Sequence, residues 1–393
     1  MKRSALIVAL SLWTSAAATA CRPGNPGDAS KFTVEIIDGI KYVHNHAPQV
    51  EASSSPRLEL LGKIGALEGR EDKDVLYDPA DAARLPNGDI LVLERGGCAV
   101  KRFNERYELV SSFGRKGLGP GDLVSPYLMR LNPAGDLIYI ADSRISRFRT
   151  DGTFVDSFRP VEAGATNGSS ITEDFRTSGL AVLSSGRVVL PGDASVWSEP
   201  RQRHLLSVYD QGGSVARAFG EIRPYDNVEM SLNANVVHFA AGAGDDCFVA
   251  YAHQNRIDRY SAEGTLRLSA DRPLPYEIKN VMRDTLFASG SVQHVFSWPS
   301  VTSVAGGAAI DGKNRLWVLT FLLQPDKFGR FPGVDDWSRC YRFDVFDADG
   351  LLMFSVPAPE SRFNGFSITG DRMYLIDSIH ESCVYEFLIA GGK

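Results

Sequence analysis

Cysteine is scarce, at five in 393 residues, and none of the five stands in a Cys-x-x-Cys or zinc-knuckle spacing. That excludes the small disulfide-stapled scaffolds and the common structural zinc folds. Positive charge shows no surplus: 42 Lys and Arg face 48 Asp and Glu, for a formal net charge of −6. With no basic run or stripe to offset it, nucleic acid is not expected as a partner. Beyond the first residues, no apolar run is long enough to cross a bilayer. Catalytic signatures are missing too. There is no Gly-x-Ser-x-Gly elbow and no His-Glu-x-x-His helix, and the glycines between 114 and 121 are followed by neither Gly-Lys-Ser/Thr nor a helical run. Nucleophile-elbow hydrolases, helix-borne zinc proteases and phosphate-cradling loops therefore drop out.

Glycine, by contrast, is abundant (37 residues) and regularly placed. Six polar turns, centred on Gly88, Gly135, Gly186, Gly244, Gly312 and Gly370, each introduce a short Val, Ile, Leu and aromatic run. Successive turn glycines lie 47, 51, 58, 68 and 58 residues apart. A unit of that length cannot bury its apolar face alone and must stack on copies of itself. The runs after the turns, such as Asp89 to Glu94 and Leu137 to Asp142, are short and continuously apolar, as suits strands covered on both faces. A third strand in each unit ends on an aromatic residue: Phe103, Phe148, Tyr209, Tyr260, Phe346 and Phe387. In four units a glycine hairpin turn follows, at Gly152, Gly213, Gly264 and Gly350, and leads to a fourth strand. Upstream of each turn the residues are small (Ala82-Ala83, Gly179 to Ala181, Gly306 to Ala309, Gly365), as the crowded axis of a radial array requires.

The sixth unit runs out of chain before its fourth strand, while an orphan strand, Leu58 to Ile64, precedes the first unit. Pairing the two removes the open edges a sheet protein must otherwise protect. The expected fold is therefore all-β, a six-bladed β-propeller of four-stranded antiparallel blades over residues 57–393, closed by an N-terminal strand. Residues 21–56 read as a tether, rich in Pro, Ser, Gly and Ala, that carries one short hairpin at Asp38-Gly39.

The stretch Phe113-Gly114 to Gly121, then Ile138 to Asp142, then Arg147-Phe148 to Gly152 resembles an NHL-type propeller repeat. The chain as a whole is similar to bacterial exported six-bladed propeller proteins. That resemblance implies the fold and assigns no activity, because one fold carries many functions.

Residues 1–20 read as an export signal: Lys2 and Arg3, an apolar stretch from Ala5 to Trp13, then Ala18-Thr19-Ala20. The Ala-Thr-Ala-Cys21 junction resembles a bacterial lipoprotein signal, which would make Cys21 the acylated first residue. Ordinary cleavage and secretion is the alternative. The expected location is outside the cytoplasm, in the bacterial cell envelope or secreted, with a membrane met only through a lipid on Cys21. In such a compartment Cys98, Cys247, Cys340 and Cys383 are free to pair, and they are expected to be buried thiols instead, because bonding needs Cα atoms within about 7 Å.

From turn glycine to aromatic marker the counts are 15, 13, 23, 16, 34 and 17, so blades 3 and 5 hold extra residues at 191–204 and 321–339. Long connections also join blades at 159–178, 221–235 and 271–303. In an up-and-down blade these two kinds of connection leave from one face, and the other face keeps tight turns. Elaboration on one face is how scaffolds carry function. The candidate binding residues there are Trp197, Arg203, His204, His253, Trp298, Arg330, Trp337 and His380, because Trp and Arg anchor interfaces and Trp stacks on sugars. The plain alternative is that these aromatics fold long loops onto the propeller. No catalytic residue is assigned, and no metal or cofactor is expected. The expected function is a cell-envelope binding or scaffolding protein whose loop-rich face takes a protein or glycan partner. The rival is a lactonase- or lyase-type propeller enzyme with Ca or Zn in the central channel, which needs ligand side chains converging near the axis. His44-Asn45-His46 is a His-x-His pair with no further ligand nearby.

Overall fold

A computed structural model describes residues 30–65, 75–161, 179–192, 204–289, 292–326 and 329–391. Six four-stranded antiparallel blades stand around one axis, and the consecutive strands of each run outward in chain order. Blade 1 is Pro79–Arg84, Ile90–Glu94, Ala99–Phe103 and Leu109–Phe113. Blade 2 is Leu128–Leu131, Leu137–Ala141, Ile145–Arg149 and Phe154–Phe158. Blade 3 is Ala181–Val182, Val188–Pro191, His204–Tyr209 and Val215–Glu221. Blade 4 is Val237–Ala241, Cys247–Tyr251, Ile257–Tyr260 and Leu266–Asp271. Blade 5 is Ala305–Ile310, Leu316–Phe321, Tyr341–Phe346 and Leu352–Pro357. Blade 6 has only three consecutive strands, Gly365–Thr369, Arg372–Asp377 and Cys383–Ala390. Its fourth is Arg57–Ile64, which pairs antiparallel with Cys383–Ala390 from Val384 opposite Ile64 to Ala390 opposite Arg57. The six-bladed ring closed from the N-terminal side is thus the observed architecture.

Six hydrophobic clusters fill the six gaps between neighbouring blades. The aromatic markers explain the repeat. Phe148 of blade 2 lies in the cluster shared with blade 1, Tyr209 in that with blade 2, and Tyr260 in that with blade 3. Phe346, Phe387 and Phe103 continue the rule around the ring, so each gap receives one marker from the following blade. Full burial of one such ring stabilises by about 1.5–3 kcal/mol. The hairpin glycines serve the same interfaces. Gly152 has φ +91°, and a Cβ there would come within 2.8 Å of Phe113 on the outer strand of blade 1. Gly264 (φ +76°) stands equally close to Phe219 on blade 3. A left-handed turn and a close aromatic neighbour both demand glycine.

Charged residues add a second tie between blades. Arg102 pairs with Asp89 and donates to the Thr150 carbonyl of blade 2. Arg259 pairs with Asp246 and donates to the Ala348 carbonyl of blade 5. Cys98, Cys247, Cys340 and Cys383 are all buried and unbonded to one another.

Two features depart from the plain repeat. The hairpin Phe32–Ile37 and Ile40–Asn45 joins blade 4 by a parallel pairing, Lys41 to His44 against Leu268 to Asp271, making a six-stranded sheet. Asn45 is buried and clamps this hairpin to blade 5 through Gly350 and Leu352. The connections around blade 4, expected as loops, contain regular structure. The helix Val228–Ala234 is capped by Asn227, which accepts from the Met230 amide at 3.1 Å, and it buries Met230 and Ala234 one turn apart. Val281–Ser289 and Val292–Ser300 form a long antiparallel hairpin.

Candidate functional site

The inner strands leave a channel along the axis. One mouth is ringed by the tight turns, among them Pro86, Pro133, Ala243, Gly312 and Gly370. The other is ringed by the starts of the inner strands (Pro79, Leu128, Gly179, His238, Gly306, Gly365) and by Arg95 and Ser378 from connections between second and third strands. Both kinds of long connection therefore do leave from one face, as an up-and-down blade dictates.

This loop-side mouth encloses a cavity of about 210 Å³. Much of its wall is glycine and backbone, but blades 1 and 2 place an ion pair there. Asp81, 2% exposed, pairs with Arg130 and accepts from the Met129 amide at 2.9 Å and from the Ala82 amide at 2.9 Å. The pair also joins two blades. Arg95 is held by Asp78 through two contacts of 2.6 and 2.8 Å, and Asn364 exchanges hydrogen bonds with Ser378. His238 stands on the inner strand of blade 4, opposite Ala250 of the second strand. Burial, with a smaller contribution from His253, pushes the His238 imidazole down to about 4, and burial lowers His253 as well. Both are thus neutral imidazoles near pH 7, and His253 Nδ1 lies 2.9 Å from the Thr302 carbonyl, to which it donates. The mouth can accept and donate hydrogen bonds, but its carboxylate is already engaged. Among the described residues no three His, Cys, Asp or Glu side chains come together so as to hold a metal ion.

The His238 shift has a sign that can be tested. Unfolded, the ring titrates at its ordinary value of 6.5, so below that pH the unfolded chain takes up the proton first. Stability is expected to fall as pH drops from about 6.5 towards 4, by about 3 kcal/mol from this group. Melting temperatures across that range should flatten in His238→Gln, and an unchanged profile would contradict the shift.

The sequence-derived candidates spread around the loop-rich face. Trp197, Arg203 and Cys21 lie outside the described residues. His204 opens the third strand of blade 3, with Nε2 2.8 Å from Ser207 Oγ. Trp298 lies on the long hairpin opposite Arg283. Arg330 contacts the Asp326 carboxylate at 3.1 Å. Trp337 is half-buried, its ring 5.4 Å from that of Tyr341, 5.6 Å from Phe363 and 6.2 Å from Phe331. That cluster folds the blade 5 insertion onto the core between blades 5 and 6. Arg362 then bridges the insertion to blade 6: Nη2 lies 2.8 Å from Asp335 and Nη1 lies 3.4 Å from His380 Nδ1. Trp337 and His380 are thereby brought to one rim, while His204, His253 and Trp298 stay apart from it.

The acidic residues that end second strands tie down loops. Asp142 accepts from the Val124 and Ser125 amides, Asp377 from three amides between Ile379 and Glu381, and Glu94 from Tyr77. Asp81, Arg130 and Arg95 were missed by the sequence reading. The available signal was a carboxylate set beside Ala82-Ala83, on a strand otherwise expected to offer only small side chains.

No protein-family model matches the chain, and no curated protein matches it. Solved structures do. A Bacteroides fragilis protein described as a candidate exported protein superposes with a TM-score of 0.52 at 12% identity, covering 89% of this chain and 99% of that one. A DUF4221 family member from Bacteroides vulgatus gives 0.55 at 10% identity, over 86% and 99% of the two chains. Virginiamycin B lyase from Staphylococcus aureus gives 0.44 at 10% identity, over 86% and 97%. At these identities the likeness to the two Bacteroides proteins is one of fold.

Proposed function

We propose that this chain is an exported protein of the bacterial cell envelope, built of NHL-like repeats, that recognises a protein or glycan partner through its loop-rich face. The observation that carries this reading is the segregation of elaboration. The long hairpin, the capped helix and the blade 5 insertion all belong to connections on one face, and the other keeps tight turns. A face built this way presents side chains from several blades on a rigid ring. The leader-like residues 1–20 and Cys21 support export and a lipid tether. The rival reading, a lactonase or lyase with Ca or Zn in the channel, is less well supported. Asp81 is committed to Arg130 and two amides, and ligand-type side chains do not converge at the mouth among the described residues.

The test is cross-linked capture from an envelope extract on the full chain. Arg362→Ala and Trp337→Ala, each checked for an unchanged melting transition, are expected to lower capture of the major partner about tenfold. Lys313→Ala, on the tight-turn face, should leave it unaltered. Capture that follows the Lys313 change, or ignores both rim changes, would remove the assignment to this face.

A further inference from the structure

Blade 4 is extended outward by the N-terminal hairpin, and the segment leaving blade 3 runs past that extension. Between them opens a cleft of about 560 Å³, within the usual size of small-ligand sites. Tyr42 and His44 come from the hairpin, Ser269 and Asp271 from the fourth strand of blade 4, and Arg223 and Tyr225 from the passing segment. The parallel register sets Tyr42 beside Ser269 and His44 beside Asp271, so the four side chains share one face of the sheet.

The other acidic and basic side chains here already have partners. Asp271 Oδ2 lies 2.7 Å from His44 Nδ1, and Glu35 Oε1 lies 3.7 Å from His44 Nε2. Arg256, also in the wall, is gripped by Asp258 through contacts of 2.9 and 2.8 Å. Arg223 differs: its guanidinium lies over the Tyr225 ring, 5.6 Å from the centroid, and pairs with no carboxylate among the described residues. The cleft therefore holds one guanidinium with no carboxylate partner among the described residues, in a chain whose formal net charge is −6. The unengaged polar groups around it are hydroxyls. Ser269 is only 8% exposed, yet its hydroxyl makes no hydrogen bond among the described residues, and the same holds for the phenols of Tyr42 and Tyr225. A nearly buried hydroxyl that opens on a cleft without a partner marks a place where a ligand atom can substitute for water.

We propose that this cleft binds an acidic saccharide, with its carboxylate on the Arg223 guanidinium and its ring hydroxyls on Tyr42 and Ser269. A guanidinium fork matches a carboxylate in shape and charge, and hydroxyls that both donate and accept match a polyol. The assignment rests on the reading of the loop-rich face as the binding side and names one ligand class for it.

Calorimetric titration of the purified full chain with trigalacturonate tests it, with neutral galactotriose and inorganic phosphate as the other probes. Trigalacturonate should bind, more weakly as salt is raised. Galactotriose and phosphate should each bind at least about tenfold more weakly, and Arg223→Gln should cost trigalacturonate a similar factor with the melting temperature unchanged. Tyr42→Phe should weaken it severalfold, and Lys313→Ala, on the tight-turn face, should leave it intact. Equal affinity for galactotriose would overturn the carboxylate contact. Equal affinity for phosphate would reduce the site to an anion site. No heat from trigalacturonate, or an Arg223→Gln protein that binds as well, would end the proposal. Retained capture with failed titration overturns the saccharide alone, and failed capture with a successful titration overturns the rim of blades 5 and 6 alone.

Discussion

Replacing Leu58 to Ile64 by a Gly-Ser segment of equal length is expected to abolish cooperative folding. The strand Arg57–Ile64 supplies the outer edge of blade 6 through seven residue pairs. It also buries Ile64 in the cluster between blades 6 and 1 and packs Leu58 on the cluster between blades 5 and 6. Each ladder hydrogen bond contributes about 0.5–1.5 kcal/mol, and each buried aliphatic about 1.5–3 kcal/mol. Together these rival the 5–15 kcal/mol or so of a whole domain's stability. The loss also exposes a strand edge, so aggregation should accompany it. Circular dichroism melting and gel filtration read the outcome. A monomer with a near-native melting temperature would mean that the seam is dispensable.

The second large effect is expected at a buried ion pair between blades 4 and 5. Arg272 and Asp344 are both fully buried, with Nε 3.0 Å from Oδ2. Thr320 Oγ1 also accepts from Arg272 Nε at 3.1 Å, and Asp344 further takes Arg342 at 2.8 Å and Ser355 Oγ at 2.7 Å. Burial pulls the Arg272 guanidinium below its usual range, and Asp344 opposes that pull. Asp344→Ala leaves the Arg272 charge buried without its counter-ion, at a cost of about 3–5 kcal/mol. Arg272→Met with Asp344→Leu removes both charges and should recover most of that loss, because Arg342 is partly exposed and can turn to water. Denaturant titration of the single and double variants checks this, and additive losses would contradict it.

The fold was legible because one physical requirement repeats six times. A glycine turn, a doubly covered strand and an aromatic marker recur in each unit, and each marker fills one gap between blades. The closing strand followed from counting, since a blade short of one strand and a strand without a blade solve each other's edges. The hairpin and helix around blade 4 were not legible. They stabilise locally, through a cap at Asn227 and a two-strand ladder, and share no period with the ring. The face that carries long connections could be read from spacing alone, whereas the groups meeting there could not. Asp81 and Arg130 are 49 residues apart and meet only because blades 1 and 2 abut. Arg223 and Tyr42 line one cleft because a hairpin docks in parallel on blade 4. Trp337 was legible as an aromatic in a long insertion, but its contacts with Phe331, Tyr341 and Phe363 depend on how that insertion folds back.

Hydrogen exchange on the intact protein tests the ring closure most directly, and the shared loop-rich face depends on that closure. The backbone amides of Leu58 to Ile64 that bond to Cys383–Ala390 should exchange as slowly as those of Arg372–Asp377, opening only when the whole ring opens. Exchange of the N-terminal strand at the rate of an exposed loop, with Arg372–Asp377 still protected, would show that the last blade is not completed by the start of the chain.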